Sequence, residues 1–377
     1  MTQSDSRFFS LDVFRGMTVC FMIIVNSPGS GADPFSILSH ADWNGFTPTD
    51  LVFPSFLFAV GNAMSFSMRK WTAMGHGAFL RKVFTRALLI FLLGFLMYWY
   101  PFFESGEDGL RLIPFSHTRV MGVLQRIALC YLFASLMIRY LSGRQVAALS
   151  VLFLVGYWVI LLLFGDAAAP LSMEGNAGQY LDKWVLGDDH LYHGEGIAFD
   201  PEGLLSTIPS IVNVVIGYYA GKFIQRTGKG YESIARLLLA GGVLILIALC
   251  WNMSFPINKK LWTSSFVMLT SGIDLAIVAA LIYVLELRGW NKWNWARFFT
   301  IFGKNPLFIY LLSEILLITL HRVHLSSGLS LHEWINAVLF QVIAPGALGA
   351  LLYAIIYMLL CWSVGWWLDR KKIYIRV

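Results

Sequence analysis

Residues 38–68 read LSHADWNGFTPTDLVFPSFLFAVGNAMSFSM. The first part of this stretch is polar and contains a histidine, two aspartates, a tryptophan and an asparagine. The part from Asp50 to Met68 is mostly apolar, and about 20 such residues cross the roughly 30 Å hydrocarbon core of a bilayer. The stretch therefore predicts a membrane-spanning helix with an ionisable cluster at the point where the chain enters the lipid.

The rest of the chain has the same apolar character. Of its 377 residues, 57% are hydrophobic and 13% are charged, and its mean hydropathy is +0.66. This composition lies outside that of soluble domains. We predict an all-α polytopic membrane protein in which residues 1–377 form a single bundle of about ten transmembrane helices. The predicted spans lie near residues 10–28, 50–68, 80–100, 120–139, 146–164, 204–222, 236–253, 262–285, 298–320 and 346–368.

The number of spans depends on the segment 334–344. This segment is apolar but short, and Pro345 and Gly346 follow it. We interpret it as an interfacial or re-entrant piece, with an eleventh span as the alternative. The choice decides whether the two ends of the chain lie on the same side of the membrane.

The distribution of basic residues favours ten spans, because Lys and Arg accumulate in cytoplasmic loops. With a cytoplasmic N-terminus, most of the 28 Lys and Arg residues fall in inner segments, among them Arg7, Lys292 and Arg376. We therefore predict that both termini are cytoplasmic. The net charge of +6 then reflects topology, and no nucleic-acid partner is expected.

Six ionisable residues fall within or at the ends of predicted spans. Such a group costs several kcal/mol at membrane depth unless it faces protein or water, so each is a candidate for function. Pro306, two residues after Lys304, is expected to bend or start a helix there. The six are Asp12, Arg15, Arg126, Asp274, Lys304 and Glu314.

The cations of this set have two interpretations. Arg15, Arg126 and Lys304 would suit an anionic ligand, above all a phosphate, because Arg binds phosphate oxygens in pairs and Lys acts as a point charge. Alternatively they pair with the acidic members of the set; Arg126 and Glu314 have similar predicted depths.

His40 is the candidate reactive group of the opening stretch. A lone histidine in an outer loop is commonly a solvated surface residue. Here Trp43 offers an apolar wall, Asn44 and Thr47 offer hydrogen bonds, and Asp50 is able to orient an imidazole. A histidine in this setting serves as a general base or nucleophile near neutral pH.

Several blocks of the sequence carry a family resemblance. The chain is similar to the heparan-α-glucosaminide N-acetyltransferase family of transmembrane acetyltransferases, including its bacterial members. The H-x-x-W-N-G block before D-L-V-F-P is the most specific of the matches. The blocks are LDVFRG (11–16), the region of Asn26, HADWNGFTPTDLVFP (40–54), GVLQRIA (122–128), DPEGLLSTIP (200–209), LWTSSF (261–266) and GKNPLFIY (303–310).

The resemblance implies an enzyme that moves an acetyl group from cytosolic acetyl-CoA to the amine of a glucosamine-ended sugar across the membrane. His40 matches the family's catalytic histidine and would act as base or as acetyl acceptor, oriented by Asp50. Asn26 would donate to the thioester carbonyl. A multi-pass protein of a bacterial inner membrane, as a possible homodimer, is implied as well.

The remaining predicted residues divide between the two substrates. For the amino-sugar acceptor we predict contacts from Trp43, Asn44 and Glu202. For acetyl-CoA we predict contacts from Arg15, Arg126, Lys304 and Asn305. We expect no metal.

Two other classes of function compete with this one. An amino-sugar or N-acetylglucosamine transporter of the inner membrane would use the intramembrane charges. A metal-dependent hydrolase would use H-L-Y-H (190–193), but the spacing lacks an established metal-binding pattern.

Overall fold

The computed structural model describes residues 8–71, 73–106, 109–290 and 294–375. Arg7, Lys292 and Arg376 of the predicted inner charge set lie outside these residues. The described chain is predominantly helical, with one two-stranded antiparallel hairpin, β1 (Phe103–Gly106) and β2 (Gly109–Leu112). The helices are α1 (Phe9–Asn26), α2 (Val52–Trp71), α3 (His76–Trp99), α4 (Val123–Tyr140), α5 (Gly143–Phe164), α6 (Ala177–Leu186), α7 (Thr207–Thr227), α8 (Tyr231–Trp251), α9 (Ser264–Leu281), α10 (Asn294–Lys304), α11 (Pro306–Arg322), α12 (Leu331–Ile335), α13 (Gln341–Ile343) and α14 (Ala347–Arg370).

The all-α polytopic architecture predicted from composition is confirmed. Within the described ranges, seven helices are long and apolar enough to cross a membrane, and a bent pair makes a possible eighth. The predicted segments near 80–100 and 204–222 also form helices, α3 and α7, but these are not among the seven, so the count of ten stays a prediction. The seven are α1, α2 with its leading turn (Pro48–Trp71), α4, α5, α8, α9 with its following turn (Ser264–Leu287), and α14.

The span predicted near 298–320 is not one straight helix. It consists of α10 and α11, which meet at an angle of 81°. The break lies at Asn305, and Pro306 begins α11, a position where its fixed φ and missing N–H are tolerated. The expectation that Pro306 starts or bends a helix is therefore correct.

The segment 334–344 lies in a short helical run. α12, a π-helical turn (Asn336–Phe340) and α13 follow one another, and at 1.5 Å per residue they extend about 20 Å. The run is not among the candidate spans of the described chain. Its length fits the interfacial or re-entrant interpretation better than an eleventh span.

Small residues bring the central helices together. A Cβ added at Gly61 of α2 would lie 2.0 Å from the Val214 carbonyl oxygen of α7, and one at Gly217 would lie 2.1 Å from that of Phe58. Two glycines allow these backbones to touch from opposite sides. Close backbone approach of this kind is what holds helices together in lipid, where burial of apolar surface offers little driving force.

We expect Gly61→Ala to lower the free energy of unfolding by about 1–3 kcal/mol, because the methyl group forces α2 and α7 apart. Thermal unfolding of the purified protein in detergent measures this. Gly156→Ala in α5 is the matched control, since a Cβ at Gly156 meets no atom within 4 Å. Equal changes in the two variants would contradict the close packing of α2 on α7.

Candidate active site

The side chain of Asp50 organises the polar stretch that precedes α2. It lies in a 3-10 turn (Pro48–Leu51) and is fully buried. Its Oδ2 accepts hydrogen bonds from the backbone N–H groups of Ala41 at 3.2 Å and Thr47 at 3.0 Å. Its Oδ1 lies 2.7 Å from Nδ1 of His40. These donors favour the ionised carboxylate.

The contact between His40 and Asp50 fixes the chemistry of the imidazole. When Nδ1 donates its proton to the carboxylate, Nε2 of the neutral ring carries the lone pair. The His40 side chain is 41% exposed, whereas that of Asp50 is 0% exposed. An oriented, accessible imidazole backed by a buried carboxylate is an arrangement suited to a general base or nucleophile.

Lys259 completes this group and was not among the predicted site residues. Its Nζ lies 2.9 Å from Nδ1 and 3.0 Å from Nε2 of His40, and 3.8 Å from Oδ1 of Asp50. Burial lowers the pKa of Lys259 to about 8, although the charge of Asp50 opposes this. The signal available in the sequence was its position two residues before the LWTSSF block (261–266).

Asn258 holds the loop that presents Lys259. Its Oδ1 accepts from the Leu261 N–H at 2.8 Å, and its own N–H donates to Oγ1 of Thr263 at 3.0 Å. Its Nδ2 donates to Oδ1 of Asn44 at 3.2 Å. Asn44, predicted to contact the acceptor, therefore joins the His40 loop to the Lys259 loop.

Trp262 and Arg126 lie beneath this loop. Trp262 has a φ of +54° and its indole N–H donates to Oδ1 of Asn213 at 3.1 Å. The guanidinium of Arg126 lies 4.8 Å from the centre of the Trp262 ring and donates to the Gly203 carbonyl at 3.3 Å. Arg126 also donates to the Ser206 hydroxyl.

The possible ion pair between Arg126 and Glu314 is not formed. Glu314 instead accepts a hydrogen bond from Nδ2 of Asn26 at 3.2 Å. No hydrogen bond between described residues joins Asn26 to His40. The predicted role of Asn26 at the thioester carbonyl stays a prediction.

Glu202, predicted to bind the cationic acceptor, belongs to an ion-pair cluster. Arg119 donates to both carboxylate oxygens of Asp200, at 3.0 and 2.6 Å, and to Oε2 of Glu202 at 2.6 Å. An acceptor amine at Glu202 would have to share that carboxylate with Arg119. This cluster was not anticipated from the sequence.

Trp43 closes one side of the polar stretch. Its indole N–H donates to the Leu171 carbonyl at 3.1 Å, and its ring centre lies 5.8 Å from that of Phe199. Both partners lie in the part of the chain between α5 and α7. Trp43 thus contributes a partly buried aromatic wall, as the sequence predicts, while its contact with an acceptor stays a prediction.

A large cavity lies between the N-terminal part of α1 and the part of α2 that runs to its C-terminal end. Its volume is about 1440 Å³, and along α2 it extends from Phe56 to Trp71, which is about 22 Å. Its lining contains one acidic residue, Asp12, and seven basic ones. We call it the basic cavity. The basic lining residues are Arg15, Arg69, Lys70, Arg86, Arg226, Lys229 and Lys304.

Of the four residues predicted to contact acetyl-CoA, Arg15 and Lys304 line this cavity and the other two do not. Arg15 bonds Asp12 at 2.9 Å and Lys304 bonds Asp369 at 2.6 Å, so Arg15 forms the pair with an acidic member of the set that the sequence left open as the alternative to ligand binding. Arg126 and Asn305 are not lining residues. Asn305 uses its side chain to bind the backbone of Ile373 and Ile375, at 3.1 and 2.8 Å.

Comparison with known proteins agrees with the resemblance seen in the sequence. A family described as heparan-alpha-glucosaminide N-acetyltransferase, catalytic, matches residues 7–182. Heparan-alpha-glucosaminide N-acetyltransferase of Homo sapiens is 30% identical over 363 residues, which covers 82% of this chain and 53% of that protein. The Mus musculus protein of the same name is 28% identical over 367 residues, covering 83% and 54%.

The chain belongs to the heparan-α-glucosaminide N-acetyltransferase family. It spans about half the length of these two relatives. The part that matches the catalytic region contains His40, Asp50, Asn26 and Arg126. Lys259 and Lys304 lie beyond residue 182, outside that match.

The HLYH segment does not form a metal site in the described part of the chain. Nδ1 of His190 lies 2.8 Å from the Thr118 carbonyl, and Nδ1 of His193 lies 3.0 Å from that of Leu191. Among the described residues, no group of three His, Cys, Asp or Glu side chains is placed to hold an ion.

Asp182 fixes the segment that carries Glu202, and it makes stability depend on pH. Its Oδ1 accepts from the Leu204 N–H at 2.8 Å. Burial raises the pKa of Asp182 to about 7, helped by the charge of Asp200 and opposed by the Leu204 hydrogen bond. The value in the unfolded chain is about 3.9.

The free energy of unfolding should therefore contain a contribution from Asp182 that is fully present below pH ~4 and is lost as pH rises through ~7. Asp182→Asn keeps the carbonyl acceptor and never ionises. We expect it to raise the thermal midpoint at pH 8 by a few degrees while leaving that at pH 4.5 little changed. The exposed Glu174→Gln is the control, and parallel curves for Asp182→Asn and the unmodified protein would contradict this assignment.

Proposed function

We propose that the chain is a transmembrane N-acetyltransferase that moves an acetyl group from acetyl-CoA to the amine of glucosamine or of a glucosamine-ended sugar. The observation that carries the proposal is the separation of two sites along α2. His40 with Asp50 lies at the N-terminal end of this helix, and the basic cavity reaches its C-terminal end. Membership of the acetyltransferase family supports this activity.

The basic cavity suits the donor. Three of the seven lining cations pair with carboxylates, Arg15 with Asp12, Lys229 with Glu286 and Lys304 with Asp369. The cations still outnumber these acids, and the excess positive charge suits the phosphate groups of coenzyme A, with Arg15 and Lys304 as contacts. Asn62 of α2 also lines the cavity, and its buried amide nitrogen and oxygen have no partner among the described residues. An amide left unpaired in this way is costly, and the amides of the pantetheine arm would satisfy it.

The reaction then requires the thioester to reach His40. In direct transfer the amine nitrogen attacks the thioester carbonyl carbon and Nε2 of His40 takes the amine proton. The C–S bond then breaks, and the protonated imidazole gives the proton to the departing sulfur, which leaves as the coenzyme A thiol. In the covalent alternative Nε2 attacks the carbonyl carbon and the C–S bond breaks to release the coenzyme A thiolate; the amine then displaces Nε2 from the acetyl carbon, and the amine proton neutralises the thiolate. Asp50 stabilises the charge on the imidazole in both routes.

Asn26 and the acceptor residues have supporting roles in this proposal. Nδ2 of Asn26 would leave Glu314 to donate to the carbonyl oxygen as negative charge develops on it. Trp43 and Asn44 would contact the sugar, and Glu202 would share its charge with the amine. Cytoplasmic termini, location in a bacterial inner membrane and a homodimer stay predictions.

The competing transporter has less support. A carrier would place its intramembrane charges along the transport path. Asp274 is instead fully buried and accepts from Oγ of Ser55 at 2.5 Å. Neither Asp274 nor Arg126 lines the basic cavity.

The central test is the release of coenzyme A thiol when purified protein meets acetyl-CoA and glucosamine. We expect release by the unmodified protein and a fall of at least about 10³ in kcat/KM for His40→Ala, because both routes need Nε2. Full transfer by His40→Ala would exclude this assignment. Glucosamine uptake into vesicles without thiol release would favour the transporter.

A second test concerns the donor site. Arg226→Gln in α7 should raise KM for acetyl-CoA about tenfold with kcat little changed, since a charged hydrogen bond contributes about 1.5–3 kcal/mol. Lys222→Gln is the matched control on the same helix, because Lys222 is not a lining residue. The same KM in both variants would place the donor elsewhere.

A further inference from the structure

The side chain of Lys259 is in direct contact with the imidazole of His40. One ammonium nitrogen approaches both ring nitrogens within 3.0 Å. The Lys259 side chain is 17% exposed, and its loop is fixed by the hydrogen bonds of Asn258. The contact is therefore built into two packed loops.

The other carboxylates around Lys259 each bond a closer cation. Besides Asp50, the charged groups that act on Lys259 are Glu202, Lys260 and Glu195. Glu202 bonds Arg119 at 2.6 Å, and Glu195 bonds Lys260 at 2.5 Å. Glu202 shares Arg119 with Asp200, and Asp50, at 3.8 Å, is the carboxylate that Lys259 approaches within 4 Å among the described residues.

A buried carboxylate requires a counter-charge, and Asp50 has two possible sources of one. Either His40 takes up a proton and becomes cationic, or Lys259 supplies the charge and the imidazole stays neutral. With Lys259 charged, a protonated His40 would bring a second cation within 3.0 Å of the first, which like charges disfavour. The neutral ring is the form that acts as base or nucleophile.

We propose that Lys259 is a positioning residue that supplies the counter-charge of Asp50 and thereby keeps His40 unprotonated and reactive near neutral pH. The lowered pKa of Lys259, about 8, still leaves it charged in the pH range in which a histidine titrates. The part of this inference that concerns the reactivity of His40 rests on the proposed function. The effect of Lys259 on the protonation of His40 does not depend on that function.

The test follows the protonation of His40 directly. Diethyl pyrocarbonate modifies unprotonated imidazoles, and peptide mass spectrometry measures the extent of modification at His40 from pH 5 to 8 with no acetyl-CoA present. In Lys259→Met we expect the midpoint of this curve to move up by about one pH unit, in line with the effect of a neighbouring charge. The rate of modification below both midpoints then falls about tenfold. The midpoint is the readout, because loss of the side chain also changes access to the ring.

Three further variants complete the experiment. Lys259→Gln should repeat the shift if Lys259→Met folds poorly, and Lys259→Arg should restore the original midpoint because it keeps the charge. Lys260→Met removes the neighbouring cation, which pairs with Glu195, and should leave the midpoint in place. An unchanged or lower midpoint in the two neutral variants, or an equal shift in Lys259→Arg, would overturn the proposal.

Measurements of transfer activity distinguish a failure of this inference from a failure of the proposed function. The acid limb of the pH profile of kcat/KM should move upward in Lys259→Met in step with the modification curve. If His40→Ala keeps full transfer, the proposed function fails, whereas the modification curves still decide the electrostatic role of Lys259.

Discussion

The buried carboxylate of Asp50 is the constraint from which the arrangement of this molecule follows. A negative charge removed from water must be met by donors and cations. The chain meets it with two backbone N–H groups, the imidazole of His40 and the ammonium of Lys259. These partners come from two loops, so a single charge at the beginning of α2 determines how the loops pack together. The same set of contacts creates an imidazole with a defined tautomer.

Much of the architecture follows from composition and hydropathy, because crossing lipid requires long apolar helices whose backbone groups are satisfied internally. The break at Pro306 was predictable for a local reason, namely the missing N–H of proline. The angle of 81° at this break was not predictable from the local sequence, and Asn305 at the break bonds the Ile373 carbonyl, far away in sequence. Hydropathy also led us to predict spans at α3 and α7, which are helices but are not among the seven that are long and apolar enough to cross a membrane.

The site was predictable where its partners are close in sequence. His40 and Asp50 are ten residues apart, and their pairing follows from one loop. Lys259 is 219 residues from His40, and only the packing of two distant loops reveals it. Conversely, Arg126 and Asn305 were predicted to contact the donor, and neither lines the basic cavity. Asn305 binds the backbone of Ile373 and Ile375, whereas Arg126 donates through Nη2, and its buried Nε and Nη1 have no partner among the described residues.

The end of the described chain takes part in the wall of the basic cavity. Tyr374 and Ile375 line it, and Asn305 holds this segment by two hydrogen bonds to the backbone. Phe8, at the beginning of the described chain, lines the same cavity, so both ends of the described chain border the space that we assign to the nucleotide. In kinetic work on this protein, an affinity tag or fluorescent protein is therefore better joined through a long flexible spacer, whichever terminus carries it.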